Sequence, residues 1–214
     1  MTEPAAARPM RSDAVRTRKL LVGAASKAFA ERGAEVSVAE IAGLAGIGKG
    51  TVFRHFPTKG DLLAAIVSEK MHALAATGER LTQAADPGPA LCEFMSAAIE
   101  LQVEDRAFCQ VVDGVARDHA EVRRSQERVA AVTDALTDRA RRDGAVRPDI
   151  TGQDVMLMMS GIPQTTSRLH ASQPHLWRRY LRLVFDGMRA TGVPPLPGPP
   201  PGTGSADPLT PAGP

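Results

Sequence analysis

The chain has 214 residues, 43% of them hydrophobic but only 4% aromatic, and carries 26 Lys and Arg against 24 Asp and Glu. Apolar volume drawn from Ala, Leu, Val and eight Met favours helices over sheets, and no alternating strand pattern of useful length occurs. Two cysteines are too few for a disulfide framework or a zinc site built on cysteine pairs; no signal-peptide core opens the chain and no run of about eighteen apolar residues could span a bilayer, so a cytoplasmic protein without membrane association is expected.

The net charge of +2 hides an asymmetry, since residues 1–60 carry +5 and the remainder −3. Attraction to a polyanion needs a local cationic surplus of this kind rather than a high overall charge. A solvated surface would account equally well for the charge on its own; the motifs that follow decide between the two.

Residues 1–12 form a polar arm with Pro4 and Pro9, expected to be disordered. The first helix is predicted from Asp13 to Glu31, with Leu20, Leu21, Ala24, Ala25, Ala28 and Phe29 on one face and Gly33 as its stop. Arg16, Arg18 and Lys19 near its start serve either solvation or contact with a nucleic-acid backbone.

Ser37 to Phe56 reads as two short helices joined by a glycine turn. Ser37 and Glu40 have the spacing of a capping box, and Val36 with Ile41 that of a hydrophobic staple. Val38, Ile41, Ala42 and Ala45 make one apolar stripe on a helix barely two turns long, too short to stand alone. Gly46 to Gly48 supply the reversal, and a second helix starts near Lys49 with Val52 and Phe56 facing inward. Helix, tight turn, helix is the helix-turn-helix pattern, here over residues 37–56. Lys49, Gly50 and Thr51 fall in the first turn of the second helix, where open amides and the dipole attract phosphate, and Gly50 lets a backbone approach closely. Thr51, Phe53, Arg54 and His55 point away from the inward stripe. Gly43 to Gly50 also comes near a nucleotide-binding phosphate loop, but that loop needs Ser or Thr after its lysine and a buried strand before its first glycine. Gly50 and the helical period of Val38 to Ala45 meet neither requirement.

A second capping box, Thr58 with Asp61, sets Lys59 in the first turn of a long helix expected to run to Leu81. A cation there opposes the helix dipole, so Lys59 is read as serving a DNA phosphate. Asp86-Pro87-Gly88-Pro89 is expected to end this helix. Further helices are marked by Leu91, Met95, Ala98 and Ile99; by Phe108, Val111 and Val112; and by Val122, Val129, Val132, Leu136 and Ala140, the last stopped at Gly144. Thr151 and Asp154 cap the next helix, about 152–170, which is apolar all round over Val155 to Met159 and expected to kink or break at Gly161 and Pro163. The last helix, about 174–190, carries Trp177, Tyr180, Leu181, Val184, Phe185 and Met188. Residues 192–214 are expected to be a disordered Pro/Gly-rich tail, since positions 194–214 alone hold nine Pro and four Gly.

The first helix from Arg16 to Glu31 and Gly33, then Val38-Ala39-Glu40-Ile41-Ala42, Ala45-Gly46-Ile47, Lys49-Gly50-Thr51, Phe53-x-x-Phe56 and Lys59-x-x-Leu62-Leu63, resemble the DNA-binding domain of the tetracycline-repressor (TetR) family. About sixty residues agree in spacing. Where the family usually has Tyr this chain has Phe53, so a hydrogen bond from that ring is lost and Arg54 is the candidate replacement donor.

The resemblance implies an all-α protein of about nine helices: a three-helix DNA-binding domain over 13–75 and a helical effector-binding and dimerisation domain over 76–191. It implies a non-enzymatic transcriptional regulator without cofactor or metal, most simply a homodimeric repressor that binds a palindromic operator in double-stranded DNA and is released by an unidentified small molecule; an activator or a regulator without a ligand stays open. Candidate DNA contacts are Ser37, Lys49, Gly50, Thr51, Phe53, Arg54, His55 and Lys59. Met95, Phe108, Val112, Met156, Met159 and Trp177 could line an effector pocket, although plain core packing accounts for the same stripe. The helices about 152–170 and 174–190 would pair with their mates in the dimer, and the helix from Lys59 to Leu81 would carry the signal. An enzyme would need converging catalytic groups, which the five scattered His do not supply, and a packaging protein would need basic surplus throughout.

Overall fold

A computed structural model describes residues 8–32, 35–104, 119–189 and 192–202, the first five of these as backbone only. Among the described residues there are eight α-helices and no strand: α1 (Arg8–Arg32), α2 (Val38–Ala45), α3 (Lys49–His55), α4 (Lys59–Leu81), α5 (Pro87–Glu104), α6 (Ala120–Arg142), α7 (Gly152–Thr166) and α8 (Leu176–Met188). The helix expected around Phe108 to Val112 lies outside the described residues. No helix of the described residues is long and apolar enough to cross a membrane.

By their contacts the described residues fall into two compact units, one of 8–68 with 119–122 and the other of 69–104, 123–189 and 192–202. The division falls inside α4, after Ser68, a few residues before the boundary expected from the sequence.

The first unit is built on α1, which buries Leu21, Val22, Ala25, Ala28 and Phe29. Leu20, assigned to that face from the sequence, is 53% exposed instead. The helix also begins earlier than expected, at Arg8 inside the arm. Pro9 is no obstacle there, because the first turn has no intrahelical partner for its missing N–H. α2 opens with its capping box formed: the Glu40 amide donates to the Ser37 hydroxyl at 3.3 Å, and the Ser37 amide donates to the Glu40 carboxylate at 2.9 Å. Gly46 alone makes the reversal, at φ 65°, a left-handed conformation in which its amide closes on the carbonyls of Ala42 and Gly43. Gly48 is extended at φ −63°. Val52 and Phe56 then drop into the core with Ile41, Leu62 and Ile66.

The second unit packs α5, α6, α7 and α8 with residues 69–81 of α4 around Leu91, Phe94, Met95, Ile99, Leu136, Val155 and Trp177. Gly78 marks one tight approach, since a Cβ there would overlap Val132 and the Phe94 ring. Arg139 of α6 donates to the carbonyls of Leu81 and Ala84, which closes the C-terminal end of α4. Asp86-Pro87-Gly88-Pro89 does not terminate α4, which stops at Leu81; it starts α5, with Pro87 in the first turn.

Two sequence expectations need correction here. α7 is not broken at Pro163 but runs through it to Thr166. Pro163 offers no amide to the carbonyl of Met159, one turn earlier, and the Gln102 side-chain amide on α5 donates to that carbonyl at 3.1 Å. The helix therefore tolerates the proline because another helix supplies the missing donor. The tail is likewise not wholly without structure: Arg147 donates to the carbonyl of Pro194 at 2.8 Å, and the Leu196 amide donates to Asp149 at 2.8 Å. Backbone fixed in this way escapes the composition argument, which counts only apolar burial.

Candidate nucleic-acid interface

α3 has one buried face and one open face. Val52 is fully buried, whereas Lys49, Gly50, Phe53 and Arg54 are exposed, with Phe53 at 42%. The capping residue Gly48 contributes no side-chain hydrogen bond, which leaves the first-turn amides of Lys49 and Gly50 open. A Cβ at Gly43, Gly48 or Gly50 would meet nothing within 4 Å, so no packing constraint within the chain requires glycine at these positions.

Arg54 is held rather than loose. Its Nη2 donates to Thr51 Oγ1 at 3.1 Å and its Nε to the carbonyl of Gly50 at 3.3 Å, one turn back on the same helix. That arrangement presents the guanidinium and the threonine together on the open face and leaves the other donors of the fork unspent. Lys49 Nζ lies 6.0 Å from the centroid of the Phe53 ring, a cation over an aromatic face at the position where the family usually has Tyr. His55 is half-buried, its ring tilted against Phe56 at 6.4 Å.

Ser37 and Lys59 are more engaged in the fold than their sequence context shows. The Ser37 hydroxyl donates to Glu40 at 2.7 Å while accepting from its amide. The Ser37 amide first, then its hydroxyl, hold the Glu40 carboxyl below the ordinary value, with Arg32 adding to the effect. Lys59 Nζ sits 5.6 Å over the Phe29 ring and lies close enough to Glu40 to favour that carboxylate. Within the fold, the Lys59 ammonium thus covers an α1 aromatic. Beside it, Thr58 and Asp61 form the second capping box, with the Thr58 amide donating at 2.9 Å. Asp61 is held below its ordinary range first by the Thr58 hydroxyl and then by the Thr58 amide, with His119 3.8 Å away as a smaller influence.

For Arg18 the sequence leaves two roles, solvation or backbone contact, and the structure adds a third. Its guanidinium stacks on the Phe56 ring at 4.6 Å and lies 3.7 Å from Glu121 at the start of α6. It thereby buttresses the residue that ends α3. Periodicity along α1 could not have shown this, because both partners are remote in sequence.

Of the residues assigned to an effector pocket, Met95, Met159 and Trp177 are buried together in the core of the second unit and Met156 is half-buried against it. Phe108 and Val112 lie outside the described residues.

Comparison with known proteins accords with this geometry. Residues 21–66 match the family described as bacterial regulatory proteins, tetR family, and residues 86–190 match the C-terminal domain of SbtR-like transcriptional regulators. No curated protein matches the chain. Among solved structures, the TetR transcriptional regulator SCO0520 from Streptomyces coelicolor is similar at 29% identity over 82% of this chain and 99% of that one, with a TM-score of 0.66. A TetR regulatory protein from Mycobacterium vanbaalenii is similar at 27% identity over 85% and 100%, with a TM-score of 0.65. PfmR from Thermus thermophilus, a TetR family transcriptional regulator, is similar at 26% identity over 78% and 94%, with a TM-score of 0.56. With a helix-turn-helix whose second helix is basic and open, and with family matches over both of its parts, the chain belongs to the TetR family of DNA-binding transcriptional regulators.

Proposed function

We propose that the protein is a homodimeric repressor that reads a two-fold symmetric operator through α3 and leaves it when a small molecule binds the second unit. The observation that carries the reading is the open face of α3, where Lys49, Gly50, Thr51, Phe53 and Arg54 are presented while Val52 on the opposite face is fully buried. Arg54, pre-positioned by Thr51, is the base-reading candidate; Lys49, Ser37, His55 and Lys59 are candidates for backbone contact.

A single short recognition helix touches few bases, so useful specificity calls for two copies about 34 Å apart on the duplex. A face suited to pairing exists on α8. Trp177, Leu181, Phe185 and Met188 are buried, and a second stripe of Leu176, Tyr180, Leu183 and Gly187 lies on the other side, with Leu183 67% exposed. Met158 and Leu169 are exposed at 39% and 47%, and Gly161 and Gly187 have space above them for a close helix approach. The effector is assigned to the core around Met95, Met156, Met159 and Trp177, since methionine side chains rearrange at low cost to admit a guest. Its effect would reach α3 along α4, whose residues belong partly to each unit.

Selection of bound sequences from random duplex, followed by salt titration, tests the reading. The expected product is an inverted repeat. Lys49→Ala should weaken all duplexes alike and lower the salt slope by about one for each phosphate left unneutralised. Arg54→Ala should instead cost about 1–3 kcal/mol on the selected operator and little on random DNA. Equal binding of selected and random duplex would overturn it.

A further inference from the structure

Position 18 falls on the buried face of α1. Arg18, Leu21, Val22, Ala25 and Phe29 follow one another at helical spacing, and the last four are between 0% and 5% exposed. The register that supplies core residues thus places a cation at the N-terminal end of the stripe, whereas Arg16 and Lys19 nearby are exposed. A guanidinium held there needs partners. It has the face of the Phe56 ring, 4.6 Å away, and the Glu121 carboxylate, 3.7 Å from its Nη2.

α3 has seven residues, so its seat depends on few anchors. Val52 is fully buried, and Phe56, 2% exposed, closes the end of the helix with its amide donating to the Val52 carbonyl at 2.8 Å. Arg54 and Thr51 are tied to each other within the helix and turn with it as one piece. A shift of the Phe56 ring therefore tilts α3 and displaces the Arg54 guanidinium from the edge of a base.

Glu121 brings another element to the same point. It stands in the first turn of α6, and residues 119–122 belong to the first unit although α6 continues to Arg142 in the second. Val122, fully buried, and His119, 3.8 Å from Asp61, fix that turn within the first unit. Glu121 is thus carried by a seated turn and meets Arg18 from a defined direction.

We propose that Arg18 is a positioning residue for the recognition helix: it clamps the Phe56 ring without touching DNA and is itself aimed by Glu121, so that the first turn of α6 helps set the base-reading geometry of α3. Charge alone gives the opposite expectation for Glu121. A carboxylate in the basic DNA-reading unit repels phosphate, so its removal should tighten binding to every duplex. If Glu121 aims Arg18, its removal instead costs the operator selectively. The proposal rests on the reading that α3 selects an operator, and the parent protein alone tests that reading.

Fluorescence-anisotropy titrations of the full chain, on the selected operator and on random duplex across a salt series, separate the outcomes. Arg18→Met keeps an apolar stem over Phe56 and removes the cation. It should lower operator affinity about fivefold, the size of one partly exposed contact between a cation and an aromatic ring, with the salt slope of the parent. Glu121→Gln should lower the ratio of operator to random affinity about twofold. In the Arg18→Met background the same change should leave that ratio unaltered, because the residue it aims is gone. The two side chains are 40% and 50% exposed, so both variants should keep the circular dichroism and melting temperature of the parent. Equal loss on both duplexes in Arg18→Met, with a salt slope about one unit lower, would make Arg18 a phosphate contact and overturn the proposal. Tighter operator binding by Glu121→Gln, or equal effects of that change in the two backgrounds, would overturn it too. A parent that does not distinguish operator from random duplex removes the reading of α3 and this proposal together; discrimination that survives intact in Arg18→Met removes this proposal alone.

Discussion

At Gly50 a Cβ would meet no atom of the chain within 4 Å, and a glycine inside a helix costs about 0.5–1 kcal/mol relative to alanine. Gly50→Ala is therefore expected to leave the melting temperature unchanged or raise it, while operator affinity falls because the backbone can no longer approach as closely. Calorimetry beside a gel-shift titration separates the two effects, and a variant that is more stable and binds as well as the parent would remove Gly50 from the interface. A second residue-scale prediction concerns Asp149. Its carboxyl is held well below the ordinary value of 3.8, first by the hydrogen bonds from Arg147 and then by the Leu196 amide. A group depressed in this way contributes fully above its unfolded value and loses that contribution as pH falls through the folded one. The amide resonance of Leu196 should accordingly hold its bound position from neutral pH down to about 4 and move only at lower pH. In Asp149→Ala it should already be displaced at pH 7; an unmoved resonance would show that the tail is held by something else.

Among the elements, those governed by neighbours in sequence were legible beforehand. The capping boxes at Ser37, Thr58 and Thr151, the left-handed Gly46 and the inward pair Val52 and Phe56 are all local, and each lies where spacing placed it. What sequence did not reveal depends on partners far along the chain. The Arg18 stack on Phe56, the Lys59 cover over Phe29, the hold on Pro194 and Leu196, and the uninterrupted α7 are of this kind. Val155 to Met159, read as buried on several sides, instead keeps Met158 39% exposed. The α7 case can be tested as a cycle. Gln102→Leu should destabilise by about 1–3 kcal/mol by leaving the Met159 carbonyl without its donor. Pro163→Ala should recover much of that loss in the Gln102→Leu background, because residue 163 then offers its own amide to Met159, and should gain less in the parent. Additive effects in denaturant titrations would sink this account.

For the whole molecule, the proposed dimer makes a distinction between two leucines of α8. Leu181 is 5% exposed and Leu183 67%, so aspartate at the first should unfold the second unit and aspartate at the second should not. Leu183→Asp is expected to keep its helical circular dichroism, run as a monomer in light scattering and lose operator affinity. A Leu183→Asp protein that remains dimeric would move the interface elsewhere. The hydrogen bond from Gln102 to Met159 has a consequence on another axis, the order in which the second unit forms. It joins residues 57 positions apart, so α7 cannot complete its own hydrogen-bond ladder on its own and must wait for α5. Until the two helices meet, the nascent segment holds an open carbonyl in its middle, which ties the consolidation of α7 to the collapse of the unit around it and gives a mutation at Gln102 a place in the folding rate as well as in the final stability.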